Sequence, residues 1–174
     1  SGVRQLERRL AAVCRKADMQ LLSKTVKRVT VTEKDLPKLL DMQPYPPTVH
    51  VEQEEIGVVN GLAWTSVGGE LLEVEVNVVP GTGKVELTGN LGDVMKESAH
   101  AALSFIRSQA DRLGIQGDFY QSKDIHVHFP EGAVPKDGPS AGIAITTAMV
   151  SALTGAPVKR GLAMTGEVTL RGRV

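Results

Sequence analysis

The chain has 174 residues, with 20 Lys+Arg against 20 Asp+Glu, so its formal net charge is zero. Hydrophobic residues make up 41% and aromatics only 3%, so any core must be built from aliphatic side chains. No apolar run approaches the roughly 18 residues of a membrane span, no charged-then-apolar start resembles a secretory signal, and the single cysteine excludes an internal disulfide.

A reducing, cytoplasmic compartment is the expectation from that cysteine usage. The charge is unevenly placed. Residues 1–40 carry ten Lys+Arg against four Asp+Glu, a net of +6, which leaves −6 for the remainder. Two units with different neighbours follow. Nucleic-acid contact by the first unit ranks low, because no aromatic residue is interleaved there and a solvated basic helix face explains the charge.

Val3, Leu6, Leu10, Val13, Ala17 and Leu21 recur at steps of three and four, one face of an amphipathic helix. Cys14, beside that stripe, is expected to be a small core residue. Residues Lys27 to Val31 alternate like a short strand. Thr32 and Asp35 form a capping-box pattern opening a short helix through Leu40. These forty residues bury too little to stand alone, so residues 1–42 read as the end of something larger. Residues 43–59, with the three prolines of PYPP, read as a linker.

The second unit spans 60–174. Leu72, Val74, Val76 and Val78 alternate with polar residues as a half-buried strand. The turn PGTGK (80–84) and the strand KVELTG then read as a hairpin. Met95, Ala99, Ala102, Ile106, Ala110 and Leu113 share a helical face over 93–113, with Gly114 as the stop. DIHVHF (124–129) is a strand. Pro139 opens a helix to Leu153 closed by Gly155, and LAMT and EVTLRG supply one or two short strands. The fold class is α+β: a small helical piece followed by a mixed sheet with two helices.

Several residues mimic functional sites. GTGK (81–84) falls short of a phosphate-binding loop, because Val78 stands where that pattern needs glycine and Val85 where it needs Ser or Thr. His126 and His128 share a strand face, but no third ligand has zinc spacing, so structural histidines are favoured and no metal is expected. Asp124 beside them reads as a hydrogen-bond partner. Trp64 in GLAWT reads as packing.

Gly138-Pro139-Ser140-Ala141-Gly142 fits G-x-S-x-G. A helix tip with small neighbours exposes backbone N–H donors of Gly138, Ser140 and Ala141 to a developing oxyanion. A nucleophilic serine also needs a base. All four histidines precede Ser140, which excludes the Ser-acid-His order of α/β-hydrolases. A His-first arrangement with His126 or His128 stays open. A lysine base must lose about three pKa units, roughly 4 kcal/mol, and the only downstream lysine, Lys159 in PVKRG, should stay charged. The alternative is that Ser140 merely caps a helix in a non-catalytic oligomerisation or substrate-binding module.

HVHFPEGAVPKDGPSAG and AMTGEVTLRG, together with GLAWT and TGNLGDVMKESA, resemble the proteolytic domain of the ATP-dependent Lon proteases, bacterial members above all. The first forty residues resemble the end of that family's AAA+ small helical subdomain. The resemblance implies a serine endopeptidase with a Ser-Lys dyad. Ser140 matches the nucleophile, Thr165 the residue whose hydroxyl contacts the dyad lysine, and Asp137 an acidic residue beside the dyad. Arg4 matches the arginine that senses nucleotide. The dyad lysine belongs to a Gly-Gly-x-Lys segment beyond TLRGRV, so the 174 residues alone are expected to be inactive. The resemblance further implies protein substrates, a homohexamer and, in full-length relatives, ATP and magnesium, with no cofactor held by these residues themselves.

Overall fold

The computed structural model describes residues 3–23, 27–41, 54–65, 68–159 and 161–174. Among these, residues 3–41 and Gly68 cluster as one compact unit and residues 54–65 and 69–174 as another.

In the first unit the stepwise apolar pattern produces helix α1, Val3–Leu22. It buries no residue: Val3, Met19 and Leu22 are each more than two-thirds exposed. Cys14 is exposed as well, so it is not a core residue. The alternating segment 27–31 forms no strand. The Asp35 carboxylate accepts the backbone N–H and the hydroxyl of Thr32, at 2.8 and 2.7 Å, which holds its pKa below the usual value. That turn opens the short helix α2, Leu36–Leu39, whose Pro37 sits in the first turn where its missing N–H costs nothing. Lys16 of α1 pairs with Asp41 just beyond α2, at 2.6 Å. Most of the stretch read as a linker lies outside the described residues.

The second unit is built on a five-stranded mixed sheet: β1 (Val58–Thr65), β2 (Gly68–Pro80, of which all but Gly68 belongs to this unit), β3 (Val85–Thr88), β4 (Lys123–His128) and β5 (Ala163–Met164), in the order β3-β4-β2-β1-β5. β1 starts inside the span read as linker, where Val59 is already buried. β4 runs antiparallel to β2 and parallel to β3, and β5 runs parallel to β1.

The hairpin expected from PGTGK does not form. β4 is inserted between β2 and β3. β4 pairs along its whole length with β2 and over four residues with β3, and Asp124 Oδ1 fastens the turn to it by accepting the N–H groups of Thr82 and Lys84, each at 2.8 Å. Ile125 donates to Lys84 O and Gly81 to Ser122 O, which wraps the turn around the head of β4. Those donors hold the Asp124 pKa below the usual carboxylate value, Lys84 first and Thr82 second.

Two helices cover one sheet face. α3 runs Asp93–Ser108 and ends earlier than its periodicity predicts; a 3-10 turn, Asp111–Leu113, carries the pattern on to Gly114 at φ 69°. The one-turn helix α4, Phe119–Ser122, then buries Phe119 and leads into β4. α5, Gly142–Thr154, is apolar nearly all round and sits between α3 and the sheet, with Ala144, Ile145, Ala148 and Met149 inaccessible. Val74, Val127, Phe129, Ala99 and Ile106 complete one continuous core. EVTLRG is not a strand: it turns back on itself, Thr169 donating to Arg173 O at 2.9 Å.

Candidate active site

The approach to Ser140 is a loop followed by a 3-10 turn, Pro139–Ala141, that runs straight into α5. Proline supplies the preset φ of a first helical turn, while Gly138 at φ 126° takes the bend that leads into it. The N-cap of α5 is Ala141, not Ser140. Ser140 is exposed, and its hydroxyl has no hydrogen-bond partner among the described residues. That geometry disfavours the capping role, which requires the hydroxyl to fold back on the helix.

The backbone at this tip is held from two sides. Ser140 O accepts the N–H of Gly166 at 2.7 Å, and Ile143 donates to Gly166 O at 3.0 Å. The Thr165 hydroxyl lies 3.5 Å from Ser140 O, a long contact, so Thr165 and Ser140 are neighbours across 25 residues. Gly142 permits this approach: a Cβ there would meet Val168 N at 2.8 Å. On the other side, Asp137 Oδ1 accepts the N–H of Met95 in the first turn of α3 at 3.0 Å and that of Gly138 at 2.9 Å. The Ser98 hydroxyl reaches Pro139 O at 3.4 Å.

Of the three expected oxyanion donors, Gly138 therefore has its N–H engaged by Asp137. Ser140 stands in the first turn, where its N–H has no intrahelical acceptor, and Ala141 follows it at the positive end of the helix. An exposed hydroxyl beside such donors suits attack on an acyl carbon.

The candidate bases stand elsewhere. His126 Nε2 and His128 Nδ1 both bond the Thr88 hydroxyl, at 2.8 and 2.7 Å. They point away from the helices, since Ile125 and Val127 alternate with them into the core. That opposite face carries a cleft of about 760 Å³ lined by both histidines, Thr88, Glu73 and Glu75, and a smaller one of about 200 Å³; Ser140 lines neither. Lys159 is exposed. Among the described residues no group of three His, Cys, Asp or Glu side chains could hold a metal. No described helix is long and apolar enough to cross a membrane. Trp64 is 82% exposed on β1, so it is not a packing residue.

GTGK does not fit a nucleotide. Its Thr82 and Lys84 N–H groups are taken by the Asp124 carboxylate, and Lys84 pairs with Glu86. That contact raises the lysine pKa and lowers the glutamate's. Arg4, which the resemblance matches to a nucleotide-sensing arginine, is exposed on α1.

One residue of the loop escaped the sequence reading. Lys136 is buried, with its side-chain nitrogen on three backbone carbonyls. No apolar periodicity marks it, and a lysine between Pro135 and Asp137 reads as surface.

Comparison with known proteins matches this architecture. Residues 30–174 match the model of the Lon protease (S16) C-terminal proteolytic domain, and residues 1–29 that of the Lon protease AAA+ ATPase lid domain. The chain is 58% identical over its whole length to the Lon protease of Finegoldia magna and 56% to Lon protease 1 of Bacillus subtilis, covering 22% of each. It is 58% identical to the Lon protease of Vibrio parahaemolyticus, again over its whole length and 22% of that protein. It thus spans about a fifth of the length of the curated relatives it matches. With a lid-type helical end, a mixed-sheet proteolytic domain and a serine presented at a helix tip, the chain belongs to the Lon protease family.

Proposed function

We propose that these residues form the peptide-cleaving part of an ATP-dependent serine endopeptidase in which Ser140 attacks the scissile carbonyl. The observation that carries this reading is the exposed, unbonded Ser140 hydroxyl at the α5 tip, its backbone locked to Gly166. Attack produces an oxyanion, which the first-turn N–H groups of Ser140 and Ala141 stabilise. The proton goes to a lysine outside residues 1–174, since among the described residues no histidine, lysine or carboxylate bonds the Ser140 hydroxyl. Thr165, against the Ser140 carbonyl, orients that lysine, and Asp137 fixes the nucleophile loop to α3.

The remaining roles belong to the full-length protein: Arg4 as nucleotide sensor, ATP with magnesium at a site other residues supply, a homohexameric ring, and unfolded or regulatory proteins as substrates in the cytoplasm. The 174 residues alone are then inactive.

The test is peptide hydrolysis by the full-length protein and its Ser140→Ala variant. Loss of about a thousandfold or more in kcat, with ATP hydrolysis retained, is expected. Full peptidase activity in that variant overturns the reading. A fluorophosphonate that leaves Ser140 unlabelled in the full-length protein favours a non-catalytic module instead.

A further inference from the structure

We propose that Lys136 is a positioning residue for Ser140, acting through the backbone of the loop that carries the nucleophile. The inference rests on Ser140 being that nucleophile.

The connection from β4 to α5 has almost no hydrophobic anchorage. Phe129 is buried at its start and Ala141 at its end, while residues 131–135, Asp137, Pro139 and Ser140 are exposed. Between Phe129 and Ala141 the one buried side chain is Lys136, 8% exposed. It is also the only buried charged residue type among the described residues. A buried amine is costly unless its N–H groups find acceptors. Here all three do: Glu131 O at 2.7 Å, Val134 O at 3.2 Å and Gly89 O at 3.4 Å.

Two of those carbonyls belong to the nucleophile loop and the third to the segment leaving β3. The backbone of Lys136 grips the same segment. Its N–H donates to Asn90 O at 3.0 Å and its carbonyl accepts from Gly92 at 2.7 Å, a one-residue parallel bridge with Leu91. Asn90 and Glu131, both partners of Lys136, are non-glycine residues in the left-handed region, at φ 58° and 62°. Such backbone persists only where its surroundings over-determine it. Lys136 thus ties a strained turn to the N-terminal approach of α3, and four residues later the chain presents Ser140.

Because the amine is turned inward onto carbonyls, it has no route to substrate or to the Ser140 hydroxyl. Its loss changes where Ser140 stands, not what binds. A tetrahedral amine matches three carbonyls converging from two segments, whereas the planar guanidinium of arginine does not.

The test uses the full-length protein and compares Lys136→Met, Lys136→Arg and Ser140→Ala in peptide hydrolysis, ATP hydrolysis, thermal unfolding and fluorophosphonate labelling. In the folded Met variant, kcat should fall about ten- to a hundredfold with KM within about twofold, and Ser140 should label completely but slower by the same factor. Arginine should not restore the rate. Peptidase kcat unchanged in Lys136→Met, with Ser140→Ala inactive, overturns the inference alone. Full activity in Ser140→Ala overturns the underlying assignment instead. If Lys136→Met does not fold, Lys136→Gln, which keeps two N–H donors, carries the same comparison. Failure of both to fold also overturns the inference, since the lysine would then serve folding rather than positioning.

Discussion

Asp137 serves Met95 as a helix cap from 42 residues away. Its Oδ1 accepts the Met95 N–H at 3.0 Å, the bond a capping side chain at the start of α3 would ordinarily accept. The N-cap position itself is Gly92, which has no side chain to offer. A Cβ at Gly92 would lie 2.2 Å from the Asp137 carboxyl carbon, so the glycine is what lets the distant carboxylate in.

Asp137→Ala should therefore destabilise the domain by about 1–2 kcal/mol, as loss of a helix cap does. Gly92→Ala should expel the same carboxylate. Because both changes remove one interaction, the double variant should cost clearly less than the sum in urea unfolding. Strict additivity would show that the two residues act separately.

Gly142 is the second close approach. Adding a methyl there sets Cβ against the Val168 amide at 2.8 Å, and backbone cannot swing aside as a side chain can. Gly142→Ala should cost about 1–3 kcal/mol and loosen the Ser140–Gly166 pairing. Gly117, with nothing within 4 Å and an ordinary φ, provides the control: Gly117→Ala should leave the unfolding midpoint nearly unchanged.

Asp124 predicts an acid response. Its folded-state pKa is held down by the Lys84 and Thr82 amides. A depressed carboxyl contributes stability that is fully present above the unfolded value of about 3.9 and is lost as pH falls through the folded value. The stability gap between the native chain and Asp124→Asn should be constant near neutrality and close below about pH 4. Denaturant midpoints measured across that range decide it; a gap independent of pH would mean the turn is held by something else.

The Thr88 hydroxyl lies between His126 Nε2 and His128 Nδ1, yet it has one proton to give. At least one imidazole must donate to it. With both rings neutral, nitrogen NMR should find a proton on His126 Nε2 or on His128 Nδ1. Both of those nitrogens bare would rule out the bridged arrangement.

Much of the architecture was legible in the chain itself. Spacings of three and four marked α1 and α3, alternation marked β2 and β4, and Pro139 with Gly155 bracketed the helix behind Ser140, because these signals are local. The serine stood out for the same reason: its small neighbours and helix tip lie within five residues.

What the linear order could not express is contact between distant residues. β4 pairs with β2 and with β3 across some forty positions, so the expected hairpin is split, and Asp124 reaches Thr82 and Lys84 over the same separation. Cys14, judged by its neighbours, belonged in a core, yet α1 buries nothing among the described residues. Thr165 meets Ser140 across 25 residues, and the buried Lys136 amine is met by three carbonyls from two segments. Periodicity records which face of an element is apolar. Where polar groups find their partners is decided by how the chain closes on itself.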